Sequence, residues 1–273
     1  MIDVSSGFWL VAAVLIVAPL ASGLVDRSPL SFAFLFLGLG LLIGEGGTDL
    51  LSLGTHSPLL EILATVTLAL VLFLDAVKLQ VDELRARWLA PVLILGPGTA
   101  LVITFGALAS AWLLGFSATL AVLAGAILAS TDTVILREVL RDGRVPRSIR
   151  QVLRIEAGMN DLVVLPVVLV MIAVATDASN SGSGWIRFGF DLAIVGPVLG
   201  FAIGGVGSWS MFRLDRQVTI RRELQALYGI GLVIGSYAAA AEMGGDGFLA
   251  AFFAGLAVVT LNQSLCDCFL DFG

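Results

Sequence analysis

Ala129-Ser130-Thr131-Asp132-Thr133 is a polar run inside an apolar stretch, and Glu156-Ala157-Gly158-Met159-Asn160-Asp161 opens the next such stretch after an arginine-rich loop. An ionisable residue in a membrane helix is costly, and it usually faces a partner, a cavity or an ion path. These two motifs therefore mark the part of the chain around which the other segments are arranged.

The composition indicates that the chain is embedded in a membrane. Of 273 residues, 58% are hydrophobic and 13% are charged, whereas about a quarter of the residues in soluble domains are charged. The mean hydropathy is +1.02. Apolar runs of about 18 or more residues, enough to cross a bilayer, recur along the chain. The sequence predicts an all-α integral membrane protein, a polytopic bundle of transmembrane helices.

About nine spans are predicted from these runs. The fifth is expected to be discontinuous near Thr131 and Asp132, because Ser, Thr and Asp side chains compete for backbone hydrogen bonds and weaken a helix. The spans run over Phe8–Val25, Pro29–Ile43, Pro58–Val77, Trp88–Leu114, Ala118–Leu140, Ile149–Ala175, Trp185–Phe212, Leu224–Glu242 and Gly247–Leu261.

Basic residues predict the orientation in the cell membrane. The loops Gly44–Ser57, Gly115–Ser117 and Gly244–Asp246 contain no Lys or Arg. Because basic loops stay in the cytoplasm, the N-terminus is expected outside and the residues after the ninth span inside. The connections after the odd-numbered spans carry Arg27; Lys78, Arg85 and Arg87; Arg141, Arg144 and Arg147; and Arg213, Arg216, Arg221 and Arg222.

Few other features indicate a partner or a cofactor. Cys266 and Cys268, with His56 far away, lack the further ligands of a metal site, so no cofactor is expected. Nothing indicates nucleic acid, and membrane lipid surrounds the chain. Gly196, Gly200 and Gly204 are spaced by four residues, which favours either tight helix packing or a dimer face, and a homodimer is expected.

In the sixth span, the spacing places Glu156 and Asn160 on one helix face and Asp161 on the face of Ala157. An apolar run follows Asp161. A carboxylate in such surroundings can hold a proton or a cation, but not both.

Several alternatives to an ion site remain. Asp132 and Asp161 could be structural acids, and Glu156 could form an interfacial salt bridge with Arg150 or Arg154. An intramembrane aspartyl protease would also use two acids, but its expected sequence contexts are absent around Asp132 and Asp161. A non-transporting membrane subunit is a further possibility.

The motifs together resemble those of the monovalent cation/proton antiporter family, in its sodium/proton exchanger, NhaP-type branch. The resemblance covers essentially the whole chain. It rests on the following segments, in this order: Phe73-Leu74-Asp75-Ala76, Leu84-Arg85 and Trp88, Gly125–Asp132, Val145-Pro146, Glu156–Asp161 and Gly247–Gly255.

The resemblance implies a transporter and not an enzyme, exchanging Na⁺ (or K⁺ or Li⁺) for H⁺ by alternating access. It implies that Asp161 binds the cation or the proton in turn, with Thr131 as a further cation ligand and Asp132 beside it at a crossing of unwound helices. Asn160, in place of a second aspartate, is typical of the electroneutral branch. Glu156 is expected to pair with an arginine from a later helix.

Three departures from the family pattern qualify this expectation. Thr133 stands where the family usually has proline. Ala157 replaces a frequent serine hydroxyl, which keeps K⁺/H⁺ exchange open. The family has about a dozen or more spans in two inverted repeats, so this chain is expected to be C-terminally truncated or completed by a second chain.

The predicted organisation follows from the resemblance. Residues 1–87 are expected to form scaffold and interface helices, 88–175 the ion-binding core, 185–263 further scaffold or dimer-interface helices and 264–273 a cytoplasmic tail. The remaining core helices are expected to lie outside this chain.

Overall fold

The described part of the chain consists of helices and the short connections between them. The computed structural model describes residues 12, 14, 16, 17, 19, 20, 32–44, 47, 57–79, 89–131, 136, 142–176, 188–218 and 220–261, and these ranges contain helices and short connections without a β-strand. The predicted all-α fold is confirmed. The chain divides into two compact units, Met1–Thr67 and Leu68–Gly273.

The helices are numbered in chain order. Two π-helical turns, Ile94–Gly98 and Asp191–Val195, run directly into the helices that begin at Thr99 and Gly196. Pro97 lies inside the first π-turn, where a missing backbone donor favours such a distortion. The helices are α1 Phe32–Ile43, α2 Pro58–Val77, α3 Leu89–Leu93, α4 Thr99–Leu114, α5 Ala118–Ala129, α6 Arg147–Ala175, α7 Gly196–Asp215, α8 Arg222–Glu242 and α9 Gly247–Leu261.

Five helical segments of the described residues are long and apolar enough to cross a membrane. These coincide with the third, fourth, sixth, seventh and eighth predicted spans. Three shorter apolar helices, Phe34–Ile43, Ala118–Ala129 and Gly247–Leu261, coincide with the second, fifth and ninth. The first predicted span, Phe8–Val25, lies largely outside the described residues. The chain is therefore a polytopic helical membrane protein, and the total of nine spans stays a prediction.

Helix α9 lies at the centre of the unit Leu68–Gly273. It is apolar all round and is buried over most of its length, as expected for a helix surrounded by other helices. Phe73 of α2 and Val233 of α8 pack in the same cluster as Val258 of α9. Phe252 of α9 is buried in a second cluster, against which Leu162 of α6 packs.

The glycines of α7 make its contact with α9 close. A Cβ atom on Gly200 or Gly204 would overlap the backbone of Ala250 or Ala254, and one on Gly196 would lie 2.6 Å from the carbonyl oxygen of Asp246. Small residues spaced by four let two helix backbones approach in this way. Of the two interpretations of this glycine face, the structure shows tight packing inside the chain.

A second glycine contact joins α4 to α5 and positions the site. A Cβ atom on Gly106 would lie 3.0 Å from the Cα atom of Gly125, and one on Gly125 would meet Ile103 and Ala107. The two backbones therefore touch one turn before the end of α5. This contact sets where Ala129 and the residues after it lie.

Candidate functional site

The predicted interruption of the fifth span is confirmed. Helix α5 ends at Ala129, and Ser130 is extended with φ −67° and ψ 128°. Thr131 is not helical, whereas Leu136 is again in a helix. Asp132 and Thr133 lie outside the described residues. The polar run thus stops a helix that the surrounding apolar residues would otherwise continue.

Asn160 of α6 contacts the broken end of α5. Its side-chain amide donates one hydrogen bond to the carbonyl oxygen of Ala129 and one to the hydroxyl oxygen of Thr131, each at 2.6 Å. The side chain is buried, with 2% of its surface exposed. A buried amide needs such partners, because a buried donor without one costs about 1–3 kcal/mol. Asn160 therefore joins α6 to both sides of the interruption.

Asp161 is the central residue of α6 and is partly buried beside the same interruption. The hydroxyl group of Ser130 donates a hydrogen bond to its Oδ1 atom at 3.0 Å. The extended conformation of Ser130 makes this contact possible, since neighbouring side chains of an extended segment point in different directions. Thr131 consequently contacts Asn160 while Ser130 contacts Asp161.

This arrangement concentrates negative charge and oxygen ligands at one point. The C-terminus of a helix carries a partial negative charge equivalent to about half an elementary charge, and here it lies beside the carboxylate of Asp161. Hydroxyl, carbonyl and carboxylate oxygens are the ligands that hard cations prefer. The site can therefore bind a small cation, or a proton on the same carboxylate.

The predicted site residues divide into three groups. Asp161, Asn160 and Thr131 are brought together at the end of α5 through their hydrogen bonds. Glu156 lies one turn earlier on α6, partly buried, and makes no hydrogen bond or ion pair with any residue of the described part. Asp132 falls outside the described residues. Ala157 is buried and brings no hydroxyl group to the face of Asp161.

Two contributors were missed by sequence reasoning. One is the hydroxyl group of Ser130, and the other is the carbonyl oxygen of Ala129. The Ser-Thr-Asp-Thr run was a usable signal: a helix that ends there frees its last carbonyl groups, and an extended segment presents alternate side chains to different neighbours.

The loop between the two motifs contains a separate pair. The guanidinium of Arg144 donates to Asp142, with the shortest N–O distance 2.7 Å, and holds the pKa of that carboxyl below its ordinary value. The Arg144 side chain is 91% exposed, and exposed pairs contribute little stability. The pair orders the turn before α6 and takes no part in the site.

In the described part of the chain, no group of three or more His, Cys, Asp or Glu residues could hold a metal ion.

A comparison with known protein families identifies the family of the chain. The sequence model of the family described as "Sodium/hydrogen exchanger, transmembrane" matches residues 11–265, which is most of the chain. The chain belongs to the sodium/hydrogen exchanger family. Both polar motifs of this exchanger-family chain, and the helices that carry them, lie within the matched residues.

Individual relatives with similar sequences are named as cation/proton antiporters or exchangers. The chain is 30% identical over 259 residues to the "K(+)/H(+) antiporter NhaP2" of Shewanella baltica (strain OS223), covering 92% of this chain and 43% of the relative. It is 26% identical over 250 residues to the "K(+)/H(+) antiporter NhaP" of Alkalimonas amylolytica, covering 90% and 42%. The "Uncharacterized Na(+)/H(+) exchanger YjcE" of Escherichia coli (strain K12) is 32% identical over 135 residues, covering 49% and 24%. The exchanger-family chain thus spans less than half of each relative.

Proposed function

We propose that the chain is part of a secondary active transporter that exchanges a monovalent cation for a proton, with Asp161 as the shared binding group. The observation that carries this proposal is the hydrogen bond from Ser130 to Asp161 at the end of an interrupted helix. A carboxylate in the middle of a membrane helix, next to the negative end of another helix, can neutralise itself with either ion. Competition between the two ions couples their movements.

The neighbouring residues have separate roles in this proposal. Thr131 supplies a further oxygen ligand for the transported cation, and Ser130 orients the carboxylate. Asn160 carries no charge, so among the described residues joined by these hydrogen bonds Asp161 supplies the carboxylate. One carboxylate exchanges one proton for one monovalent cation, which makes the exchange electroneutral. Asp132 and Glu156 complete the site.

The proposed organisation assigns the ion-binding core to residues 88–175 and scaffold or interface roles to 1–87 and 185–263. A homodimer and a second chain that supplies further helices belong to the same proposal. The glycine face of α7 packs inside the chain, so a dimer would use another surface.

The transported cation is either K⁺ or Na⁺. The names of the Shewanella baltica and Alkalimonas amylolytica relatives favour K⁺, and the name of the Escherichia coli relative favours Na⁺. The buried Ala157 removes one potential oxygen ligand, and a site with fewer ligands selects less strongly for a small ion. Titration of proton flux with each cation in turn separates the two.

The central test measures proton flux in vesicles that contain the chain, driven by an imposed K⁺ or Na⁺ gradient and followed with a pH-sensitive dye. Asp161→Asn is expected to abolish the coupled flux, because an amide cannot exchange a proton for a cation. Glu61→Gln is the matched control, since Glu61 is an exposed carboxylate on α2 and its loss should leave the flux unchanged. Flux that persists in Asp161→Asn would contradict the proposal.

The role of Ser130 is tested in the same vesicles. Ser130→Ala removes the donor to Asp161 and is expected to raise the KM for the cation about fivefold, as the loss of about 1 kcal/mol implies. Ser130→Thr keeps the hydroxyl group, and its KM for the cation should stay close to that of the parent chain. Equal KM values for Ser130→Ala and the parent chain would show that the bond does not shape the site.

Because the chain spans less than half of each relative, a further experiment tests whether additional helices are needed for transport. Flux is measured with the chain alone and with the chain co-expressed with the part of the Shewanella baltica relative that the match leaves uncovered. Flux only in the second case would support completion by further helices. Flux in neither case, with the proteins folded and inserted, would contradict the proposal.

A further inference from the structure

Two arginines at the C-terminal end of α7, Arg213 in its last turn and Arg216 just after it, lie over aromatic rings. The guanidinium carbon of Arg213 is 5.1 Å from the centroid of the Trp209 ring, and that of Arg216 is 5.5 Å from the centroid of the Phe212 ring. Each pair is spaced by four residues, so both pairs lie side by side on the helix surface. A guanidinium group stacked on a ring keeps its N–H edge free for a planar, bidentate acceptor.

The charge of these arginines is not neutralised by the described residues. Arg213 and Arg216 are exposed, and neither forms an ion pair with a carboxylate there. Asp215 lies between them in sequence, but it accepts the backbone N–H of Ile220 at 2.9 Å. Its Oδ1 atom also lies 3.4 Å from the side-chain nitrogen of Gln225. The carboxylate of Asp215 is thus committed to the connection between α7 and α8.

The arginine pair surrounds an open cleft. The cleft has a volume of about 510 Å³ and is lined by Trp209, Phe212, Arg213, Arg216 and Gln217. Among the described residues, its lining contains two cations, two aromatic rings and an amide, and no acid. Such a lining attracts an anion that carries an apolar part.

The position of the cleft narrows the choice of anion. It lies at the end of a membrane-spanning segment, Phe188–Asp215, and the Trp209 side chain there is 59% exposed. Exposed Trp at the end of a span lies at the level of lipid headgroups. We propose that the cleft formed by Trp209, Phe212, Arg213 and Arg216 binds the phosphate of an anionic phospholipid. The arginines bind the phosphate oxygens, and the rings contact the adjoining glycerol and acyl carbons.

This proposal does not depend on the transport proposal, because it concerns a different surface and a binding readout. The test uses the full chain purified in detergent and exposed to phosphatidylglycerol or phosphatidylcholine. The retained lipid is quantified after gel filtration. The parent chain is expected to retain phosphatidylglycerol in preference to phosphatidylcholine. Equal retention of the two lipids would overturn the proposal.

Matched variants separate a site from general charge attraction. Arg213→Gln and Arg216→Gln are each expected to weaken phosphatidylglycerol binding about fivefold, the effect of one basic residue near an anionic surface. Arg144→Gln removes one charge from the exposed Asp142 pair and should have no effect. An equal loss in Arg144→Gln would overturn the proposal. Unchanged melting temperatures show that each variant is folded, and Arg216→Lys, which keeps the charge without the planar fork, should retain an intermediate amount.

A last arm distinguishes a lipid from free phosphate. Excess inorganic phosphate at constant ionic strength is expected to leave the retained phosphatidylglycerol unchanged, because the aromatic rings contribute contacts that phosphate lacks. Full displacement by inorganic phosphate would overturn the assignment to a phospholipid.

Discussion

The side-chain amide of Asn160 donates a hydrogen bond to the carbonyl oxygen of Ala129 at 2.6 Å, so the last residue of α5 is bound to the middle of α6. A helix that ends inside an apolar bundle leaves its final carbonyl groups without helical partners. Lipid cannot satisfy them, and each unsatisfied group costs several kcal/mol. Asn160 satisfies one of them and holds the interrupted helix against Asp161.

Asn160→Ala is expected to destabilise the chain by about 1–3 kcal/mol, because the carbonyl group of Ala129 and the hydroxyl group of Thr131 lose a buried donor. The measurement is the thermal unfolding midpoint in detergent. Thr176→Ala is the control, since the Thr176 hydroxyl bonds only within its own helix turn and is exposed. A drop no larger than that of Thr176→Ala would contradict a structural role for the Asn160 bonds.

Gly125→Ala is expected to destabilise the chain by about 1–3 kcal/mol, the usual cost of overpacking. The new Cβ atom would meet the backbone of Ile103 and Ala107 and push α5 away from α4. Because Ala129 lies one turn further along α5, coupled proton flux should fall as well. Thermal unfolding and vesicle flux are measured on the same preparation.

Gly231→Ala is the matched control for that change. A Cβ atom at Gly231 of α8 meets no atom of the described residues within 4 Å, so the added methyl group should be neutral or should stabilise the helix by up to about 1 kcal/mol. Equal destabilisation in Gly125→Ala and Gly231→Ala would show that the close contact between α4 and α5 does not cause the loss of stability.

Asp246, in the connection before α9, accepts the backbone N–H of Leu249 at 2.7 Å. Asp246→Ala should cost about 1 kcal/mol, as the loss of a helix N-cap does. Asp246→Asn keeps the acceptor and should leave stability at pH 7 equal or higher, because no charge is then buried. Thermal unfolding midpoints of the three proteins check this order.

The pH dependence of Asp246 gives a second readout. Burial raises its pKa above the ordinary value of 3.8. The folded state therefore binds the proton more tightly than the unfolded state. The contribution of Asp246 to the stability of the folded state is fully present below the pKa that its carboxyl has in the unfolded chain. This contribution is lost as pH rises through the pKa of Asp246 in the folded chain. Asp246→Asn should lack this decline, and an identical pH profile in the two proteins would contradict it.

The predicted orientation is checked with single cysteines in a background of Cys266→Ser and Cys268→Ser. Gly143→Cys lies in the basic loop before α6 and should react with an impermeant thiol reagent only after the membrane is opened. Phe116→Cys lies in the uncharged connection before α5 and should react from outside. Reaction of Gly143→Cys in intact cells would contradict the predicted orientation and place this loop outside the cell.

Much of the fold was predictable because it depends on local properties. An apolar run long enough to cross a bilayer becomes a helix in lipid, since only internal hydrogen bonds can satisfy its backbone. The predicted ends of the third, sixth and ninth spans agree within two residues with the ends of α2, α6 and α9. These helices run over Pro58–Val77, Arg147–Ala175 and Gly247–Leu261. The end of α5 at Ala129 was also predicted in kind, because the polar run after it competes with the helix.

The site was predictable only in part. Sequence spacing assigned Asn160 and Asp161 to different faces of α6, and their different hydrogen-bond partners agree with this. Spacing within α6 carries no information about which atom of another helix stands opposite each face. Ser130 was therefore missed as the partner of Asp161.

The glycines of α7 show the same limit. Their spacing predicts a close helix contact, and it leaves open whether the partner helix belongs to the same chain. The structure decides this by placing α9 against Gly200 and Gly204.

The sequence by itself determined that this protein is a bundle of membrane helices with one of them interrupted near Thr131 and Asp132, because burial in lipid and helix competition act over a few neighbouring residues. Only the tertiary structure decided that Ser130 contacts Asp161 and that Asn160 holds Ala129 and Thr131. Those pairs depend on how α4, α5 and α6 cross, and the crossing is set by backbone contacts such as Gly106 against Gly125, between residues distant along the chain.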